Sequence, residues 1–142
     1  MQTYIKPSEL KSKLKTLISI QKPAFIWGAS GIGKSEIIAK VADELGYNLI
    51  DVRVSLLDPV DLRGVPSVEN GTTKWNPPVF LPQEGDGKSI LFLDELPHGS
   101  PSVQNALFQL IRDRKIGEYS LPSDTIILAA GNRVSDRVGA NK

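Results

Sequence analysis

Apolar residues recur along this chain in two patterns, short continuous runs and positions at helical spacing. Four apolar runs have the length of buried strands: 22–27, 48–54, 89–93 and 125–130. Three segments carry apolar residues every three or four positions: 8–20, 36–45 and 101–111. Because strands and helices alternate, the pattern predicts an α/β domain with a mostly parallel sheet flanked by helices.

Residues 58–82 interrupt this alternation with prolines and turn-forming residues. Asn70-Gly71 is a strong signal for a tight hairpin turn, and residues 65–68 and 72–75 flank it as short strand candidates. We therefore predict an inserted β-hairpin near residues 65–75. Residues 115–121 predict a second hairpin or an irregular link.

The chain has 142 residues, enough for one domain with its own core, and 40% of them are hydrophobic. The net charge of +1 gives no overall signature of nucleic-acid binding, so nucleic acid is disfavoured as a partner of this segment. The absence of cysteine excludes disulfides and thiolate metal sites. No apolar run is long enough to cross a bilayer, and the start lacks the apolar core of a secretion signal. We therefore expect a cytoplasmic protein with no membrane partner.

Residues 28–35 match the phosphate-binding pattern G-x-x-x-x-G-K-[ST] at every defined position. A predicted strand precedes them and a predicted helix follows, which is the context that the pattern requires. Glycines let backbone N–H groups and the helix N-terminus approach phosphates closely. Lys34 would supply a positive charge to the terminal phosphates, and Ser35 a hydroxyl to Mg²⁺. A glycine-rich bend with no ligand would need neither, so the segment predicts a P-loop NTPase.

An acidic pair, Asp94-Glu95, comes directly after the buried run at 89–93. In a parallel sheet this strand end lies at the same edge as the phosphate-binding loop. Asp94 can hold Mg²⁺, usually through its water shell, and Glu95 can polarise an attacking water. Alternatively, Asp94 and Glu95 are ordinary turn residues with no catalytic role. The phosphate-binding pattern upstream favours the functional interpretation.

The run at 125–130 ends in Gly131-Asn132, which places another polar side chain at a strand end. An amide at Asn132 can hydrogen-bond a terminal phosphate or the attacking water. Asparagine is common in turns, so this signal gains weight only from the two motifs before it. We therefore predict Asn132 as a third member of the site.

Together these motifs resemble the ATP-binding core of AAA+ ATPases, and within them the MoxR group. Three further segments also resemble the MoxR group: residues 57–64, residues 76–82, and the stretch from Asp94–Pro97 into 101–107. The resemblance implies ATP and Mg²⁺ as cofactors, a homo-oligomeric ring, and remodelling of a client protein. It implies phosphate and Mg²⁺ binding by Lys34 and Ser35, Mg²⁺ binding by Asp94, catalysis by Glu95, and a sensor role for Asn132. The predicted nucleotide-binding residues are Gly28, Ala29, Ser30, Gly31, Ile32, Gly33, Lys34, Ser35 and Glu36.

AAA+ modules continue with a fifth strand, a helical lid and arginines that read the nucleotide of a neighbour. The present chain ends at Asn141-Lys142, soon after the fourth predicted strand. We therefore expect residues 1–142 to form a single incomplete AAA+ core without the C-terminal lid. Nucleotide binding is then a firmer expectation than hydrolysis by this segment.

Three alternative functions share some of these sequence features. A GTPase is disfavoured, although Asp61–Gly64 matches D-x-x-G and Asn141-Lys142 is half of a guanine-reading motif, because Pro59 interrupts any strand into Asp61. A nucleic-acid motor or loader, and a nucleotide-binding module with little turnover, stay open.

Several single residues complete the sequence prediction. The arginines assigned to the active edge are Arg112, Arg114, Arg133 and Arg137, with surface ion pairing favoured over a role as an arginine finger for each of them. We predict that His98 is a surface or capping group and that Trp27 is a core residue. Trp75, on the predicted hairpin, fits a partner contact and packing against the body equally well.

Overall fold

The computed structural model describes residues 7–28, 33–78 and 80–131. Its helices are α1 (Pro7–Ser19), α2 (Lys34–Leu45), α3 (Pro59–Arg63) and α4 (Pro101–Asp113). Its strands are β1 (Ala24–Trp27), β2 (Asn48–Arg53), β3 (Val65–Glu69), β4 (Thr72–Asn76), β5 (Ser89–Asp94), β6 (Lys115–Ile116), β7 (Tyr119–Ser120) and β8 (Thr125–Gly131). Two 3₁₀ turns, Val54–Leu56 and Leu96–His98, follow β2 and β5.

Within the described ranges the central sheet has four strands in the order β1-β8-β5-β2, and every neighbouring pair is parallel. This confirms the predicted α/β architecture. The carboxyl ends of all four strands meet at one edge, because Trp27 pairs with Gly131 and Arg53 pairs with Asp94. The segments that leave these strand ends therefore lie next to one another, although they are distant in sequence.

The sheet separates two apolar clusters, one on each face. On one face, buried residues of α1 and α2 pack against Ile26, Phe92 and Leu128. On the other, buried residues of α4 pack against Leu91 and Ile127. β5 and β8 contribute to both clusters, and this explains why their sequences are continuously apolar rather than alternating.

The ends of α2 and α4 follow from the residues that flank them. Gly33 and Gly46 bracket α2 in the left-handed conformation, with φ of 77° and 76°, where glycine avoids a Cβ penalty. Ser100 caps α4, because its Oγ accepts a hydrogen bond from the Val103 N–H at 3.3 Å. Pro101 occupies the first helical position.

The inserted hairpin is present as β3 and β4, paired antiparallel from Val65–Asn76 to Glu69–Thr72. Asn70 and Gly71 form the turn with positive φ values of 52° and 75°, as a tight hairpin turn requires. β6 and β7 form the second hairpin. Both hairpins lie outside the central sheet.

Three details differ from the sequence prediction. Helix α2 begins at Lys34 rather than after it, and the short helix α3 was not predicted. Trp27 was predicted to be buried but is 42% exposed, because β1 is the outer strand of the described sheet. The expected incompleteness of the domain stays a prediction.

Candidate active site

Lys34 is the first residue of α2 and points back towards the sheet. Its Nζ donates a hydrogen bond to the Gly28 carbonyl oxygen at 2.8 Å and contacts the Gly131 carbonyl oxygen at 3.4 Å. The residue is only 8% exposed. A buried ammonium needs such partners, since an uncompensated charge is costly away from water. Carbonyl groups at the ends of β1 and β8 thus hold the Lys34 ammonium group at the carboxyl edge of the sheet.

Gly131 has a second function in this arrangement. Its carbonyl oxygen also accepts a hydrogen bond from the Gly28 N–H at 3.1 Å, which extends the β1–β8 ladder to the start of the segment that matches the phosphate-binding pattern. A Cβ at position 131 would lie 2.6 Å from two ring carbons of Pro97. The close approach of the Pro97 ring to the β8 backbone therefore favours a glycine at the end of β8.

Ser35 and Asp94 face each other across the gap between α2 and β5. The Ser35 Oγ lies 3.5 Å from Oδ2 of Asp94. The other carboxylate oxygen, Oδ1, accepts a hydrogen bond from the Glu95 backbone N–H at 2.9 Å, and this fixes the orientation of the carboxylate. One hydroxyl and one carboxylate oxygen are hard oxygen donors of the kind that Mg²⁺ prefers, and the ion takes its remaining ligands from water and phosphate. The residues present therefore fit a Mg²⁺ ion that arrives with a nucleotide.

Glu95 has an unusual backbone conformation, with φ 59° and ψ 36°. This left-handed conformation is disfavoured for a side chain such as glutamate, and such strain concentrates at functional sites. It turns the chain sharply out of β5 into the 3₁₀ turn Leu96–His98. The Oε2 atom of Glu95 accepts a hydrogen bond from Ser55 Oγ at 2.6 Å, and Arg53 Nε lies 3.9 Å from the same oxygen.

Asp51 adds a further carboxylate near this edge. Asp51 and Arg53 alternate along β2 with Val52, which packs in the α4-side cluster, so both point towards the face that carries α2. Partial desolvation of its carboxyl and, secondly, the negative charge of Asp94 raise the pKa of Asp51, while Arg53 opposes the shift. Acidic groups on two neighbouring strands therefore influence one another at this edge.

Comparison with known families decides the class of this site. A sequence model of the AAA domain family, dynein-related subfamily, matches residues 23–140. The chain belongs to this family. The matched range includes the phosphate-binding segment, the acidic pair and the end of β8, so the AAA assignment and the ATPase class predicted from the sequence are confirmed.

Related proteins agree with the AAA assignment. Over 115 residues the AAA domain is 30% identical to Midasin from Giardia intestinalis, an alignment that covers 77% of this chain and 2% of Midasin. The chain thus spans a very small part of that curated relative. The MoxR-like relationship stays a prediction.

Solved structures show the same fold at low sequence identity. A protein from Cytophaga hutchinsonii superposes with a TM-score of 0.66 at 18% identity, over 92% of this chain and 40% of the other. NtrX from Brucella abortus, solved in complex with ADP, gives 0.64 at 16% identity, over 99% of this chain and 32% of NtrX. A variant of RuvB from Thermotoga maritima gives 0.59 at 20% identity, over 89% of this chain and 39% of RuvB.

The AAA domain brings together the predicted residues that the structure describes. Gly28, Gly33, Lys34, Ser35, Asp94 and Glu95 lie at the carboxyl edge of the sheet. Glu36 is exposed on the first turn of α2. Ala29, Ser30, Gly31, Ile32 and Asn132 lie outside the described residues, as do Arg133 and Arg137.

The prediction that Arg112 and Arg114 are near the active edge is wrong. Arg114 ends α4 and donates hydrogen bonds to the carbonyl oxygens of Pro122 and Thr125, and Thr125 is the first residue of β8. Both arginines therefore lie near the opposite edge of the sheet. Arg112 pairs with its neighbour Asp113 at 3.1 Å, the surface pairing that was favoured for it.

Sequence reasoning missed three residues of β2 and the turn after it, namely Asp51, Arg53 and Ser55. Their position in the sequence was the available signal. All strands of a parallel sheet end at the same edge, so the polar residues at the end of the second strand lie at the same edge as the other strand ends.

No helix within the described ranges is both long and apolar enough to cross a membrane.

Proposed function

We propose that this AAA domain binds ATP with Mg²⁺ and hydrolyses it. The observation that supports this most strongly is the juxtaposition of Lys34 and Ser35 on α2 with Asp94 and Glu95 at the end of β5. In this proposal the finer features expected from the sequence also hold: a MoxR-like relationship, a homo-oligomeric ring, and remodelling or assembly of a client protein.

Phosphate binding falls to the segment 28–36 in this proposal. Lys34 gives up one of its carbonyl partners and turns its ammonium group to the terminal phosphates, where the opposite charges attract. Ser35 and Asp94 hold Mg²⁺, which neutralises charge that develops on the phosphate oxygens. The carbonyl oxygens of Gly28 and Gly131 keep the lysine at the site before nucleotide binds.

Hydrolysis requires a base within reach of the attacking water, and Glu95 is the proposed base. Its carboxylate accepts the proton while the water oxygen attacks the terminal phosphorus and the bond to the ADP oxygen breaks. The left-handed backbone at Glu95 and the hydrogen bond from Ser55 orient this carboxylate. Asn132 is proposed to sense the terminal phosphate.

A pair of variants separates binding from chemistry. Lys34→Ala should weaken Mg-ATP binding strongly, because the phosphates lose their charged partner, whereas Glu95→Gln should preserve binding and lower turnover by on the order of 10²-fold or more. Binding is measured by calorimetric titration and turnover by phosphate release. Unchanged ATP affinity in Lys34→Ala would refute the phosphate-binding assignment. Undiminished turnover in Glu95→Gln would place the base elsewhere.

Assembly is tested by measuring turnover per chain over a range of protein concentrations. The proposal of a ring predicts that turnover per chain rises with concentration, because neighbouring subunits complete the site. Constant turnover would contradict a requirement for neighbours. Binding without turnover at every concentration would favour the alternative of a nucleotide-binding module with little hydrolysis. Turnover stimulated by nucleic acid would instead favour the motor or loader.

A further inference from the structure

The hairpin of β3 and β4 presents two different faces, because side chains alternate between the faces along each strand. The register places four side chains together on one face: Pro66, Val68, Thr73 and Trp75. Val68 is 76% exposed and Trp75 is 38% exposed, although both are apolar. On the opposite face Asn76 Nδ2 donates a hydrogen bond to Ser67 Oγ at 3.1 Å, so that face is polar. The first four residues therefore form an apolar face that is in contact with water.

The base of the hairpin is held in a fixed orientation. Gly64, directly before β3, has a φ of 81°, and a Cβ there would clash with the Asn76 carbonyl oxygen. Asn76 Nδ2 also donates a hydrogen bond to the Val65 carbonyl oxygen at 3.1 Å. Trp75 borders a narrow crevice together with Ile116 of β6. A strand that pairs with this hairpin thus meets an edge that is already ordered, and this lowers the entropic cost of binding.

The two outer edges of the hairpin offer different groups to a further strand. Within the described ranges β3 and β4 pair only with each other. The residue pair that flanks the Asn70-Gly71 turn is hydrogen-bonded, so the next residue along each strand directs its backbone groups outwards, and every second residue after it does the same. On β3 these outward residues are Val68 and Pro66, and proline has no N–H to donate. On β4 they are Thr73 and Trp75, which both present an N–H and a C=O, so β4 is the open edge.

The charge of Lys74 determines which strand fits this open edge. Lys74 is exposed between Thr73 and Trp75, and none of the ion pairs among the described residues includes it. If β4 of a second copy paired antiparallel with this edge, with Thr73 opposite Trp75, the two Lys74 side chains would lie directly opposite each other. Like charges in that position are destabilising, and an edge lysine is a common protection against self-pairing. A carboxylate in the same position is stabilising. The edge therefore disfavours a second copy and favours an acidic strand.

From these features we propose that the outer edge of β4 binds an extended segment of a partner protein as a third strand, and that this segment alternates apolar and acidic side chains. The main chain of the segment bonds to the outward N–H and C=O groups of Thr73 and Trp75. Its apolar side chains extend the apolar face, and its carboxylates lie beside Lys74. A two-stranded hairpin is only marginally stable by itself, whereas three strands with an apolar face are more stable, and this favours binding. The inference goes beyond the proposed function, because it requires no nucleotide.

The test titrates the isotope-labelled chain with a blocked heptapeptide that alternates valine and glutamate, followed by nuclear magnetic resonance. Amide exchange at Thr73 and Trp75 should slow about tenfold at saturation, the effect of one amide hydrogen bond, whereas exchange at Val68 on the other edge should stay unchanged. A peptide that alternates valine and lysine should bind about tenfold more weakly, because it places like charges beside Lys74. Lys74→Glu should reverse the preference between the two peptides.

Two matched proline variants separate the edges of the hairpin. Thr73→Pro removes an outward N–H from β4, as Pro66 already does on β3, and it should weaken binding of the acidic peptide about tenfold. Val68→Pro makes the same change on β3 and should leave the affinity unchanged. The amide spectrum of each variant, with the signals of Glu69 and Thr72 beside the turn, shows whether the hairpin is preserved.

The other outcomes would overturn the proposal in distinct ways. No binding of the acidic peptide by the unmodified chain would show that Pro66 and Lys74 only protect the hairpin against pairing. Binding with unchanged exchange at Thr73, or equal losses in Thr73→Pro and Val68→Pro, would place the peptide on the apolar face and not at the edge. An unreversed preference in Lys74→Glu would remove the role of that charge, and a dimer of the chain that pairs through β4 would make a second copy the occupant. The titrations contain no nucleotide, so failure of the proposed function would not change their result.

Discussion

Gly131→Ala tests how closely the fold and the site depend on the contact between the Gly131 backbone and the Pro97 ring. Gly131 lies in an extended strand with no positive φ, so alanine can adopt the backbone without strain and the expected cost is steric. The added Cβ would lie 2.6 Å from both Cγ and Cδ of Pro97 and 3.5 Å from Cε1 of Phe25. The ring is part of a rigid turn and cannot rotate away. Overpacking of this kind costs about 1–3 kcal/mol.

A double-mutant cycle isolates that steric contact. Pro97→Ala removes both ring carbons that the new methyl group would meet, at its own cost in packing and chain stiffness. Each single variant should have a lower free energy of unfolding than the unmodified chain. We expect the loss in the double variant, Pro97→Ala with Gly131→Ala, to be smaller than the sum of the two single losses by about 1 kcal/mol or more. Urea denaturation of the four proteins gives all of the free energies required.

Binding provides a second measurement on the same variants. The Gly131 carbonyl oxygen accepts hydrogen bonds from Gly28 and Lys34, so displacement of β8 should also weaken nucleotide binding in Gly131→Ala. Rescue of both stability and binding in the double variant is the expected result. Two results would refute the reasoning: a Gly131→Ala protein with the stability of the unmodified chain, or additive effects in the double variant.

The other predictions concern the helices. Ser100→Ala should destabilise the protein by about 1 kcal/mol through loss of the α4 cap, measured by urea denaturation, while the exposed Ser102→Ala in the same helix should have little effect; equal effects would contradict the capping role. Hydrogen bonds from Lys11 and Lys15 lower the pKa of Glu44 from its ordinary 4.5 to about 2. Because the folded-state pKa is lowered, this stabilisation is present above about pH 4.5 and is lost as the pH falls towards 2. The difference in urea midpoint between the unmodified chain and Glu44→Gln should therefore shrink over that range, and a difference independent of pH would argue against the pairing.

The sequence predicted the sheet and the first residues of the site because their signals are local. Asn70-Gly71 has backbone freedom that suits a tight turn, and the turn forms there with positive φ at both positions. The buried runs of β5 and β8 could be recognised because both of their faces are covered. The apolar run before the glycine-rich segment and the helical spacing after it likewise predicted β1 and most of α2, although α2 begins at Lys34.

Other features depend on contacts that no local pattern contains. The burial of Trp27 was overestimated because an apolar strand does not reveal whether it lies at the border of a sheet. Arg114 was placed near the wrong edge because its partners, the carbonyl groups of Pro122 and Thr125, are reached only after the chain turns back through β6 and β7. Arg53 and Ser55 were missed since their proximity to Glu95 arises from pairing of β2 with β5.

The strand order also has a consequence for how the molecule folds. Among the described strands β1 pairs with β8 alone, so its partner is the last strand in sequence, and the contact from Lys34 to Gly131 spans 97 residues. Closing such a long loop is entropically costly and slow compared with forming a helix or a hairpin. During synthesis Lys34 therefore cannot contact Gly131 until β8 has emerged and inserted between β1 and β5. We expect hydrogen exchange during refolding to protect the α4 amides before those of β1, with the ability to bind nucleotide acquired in the final step.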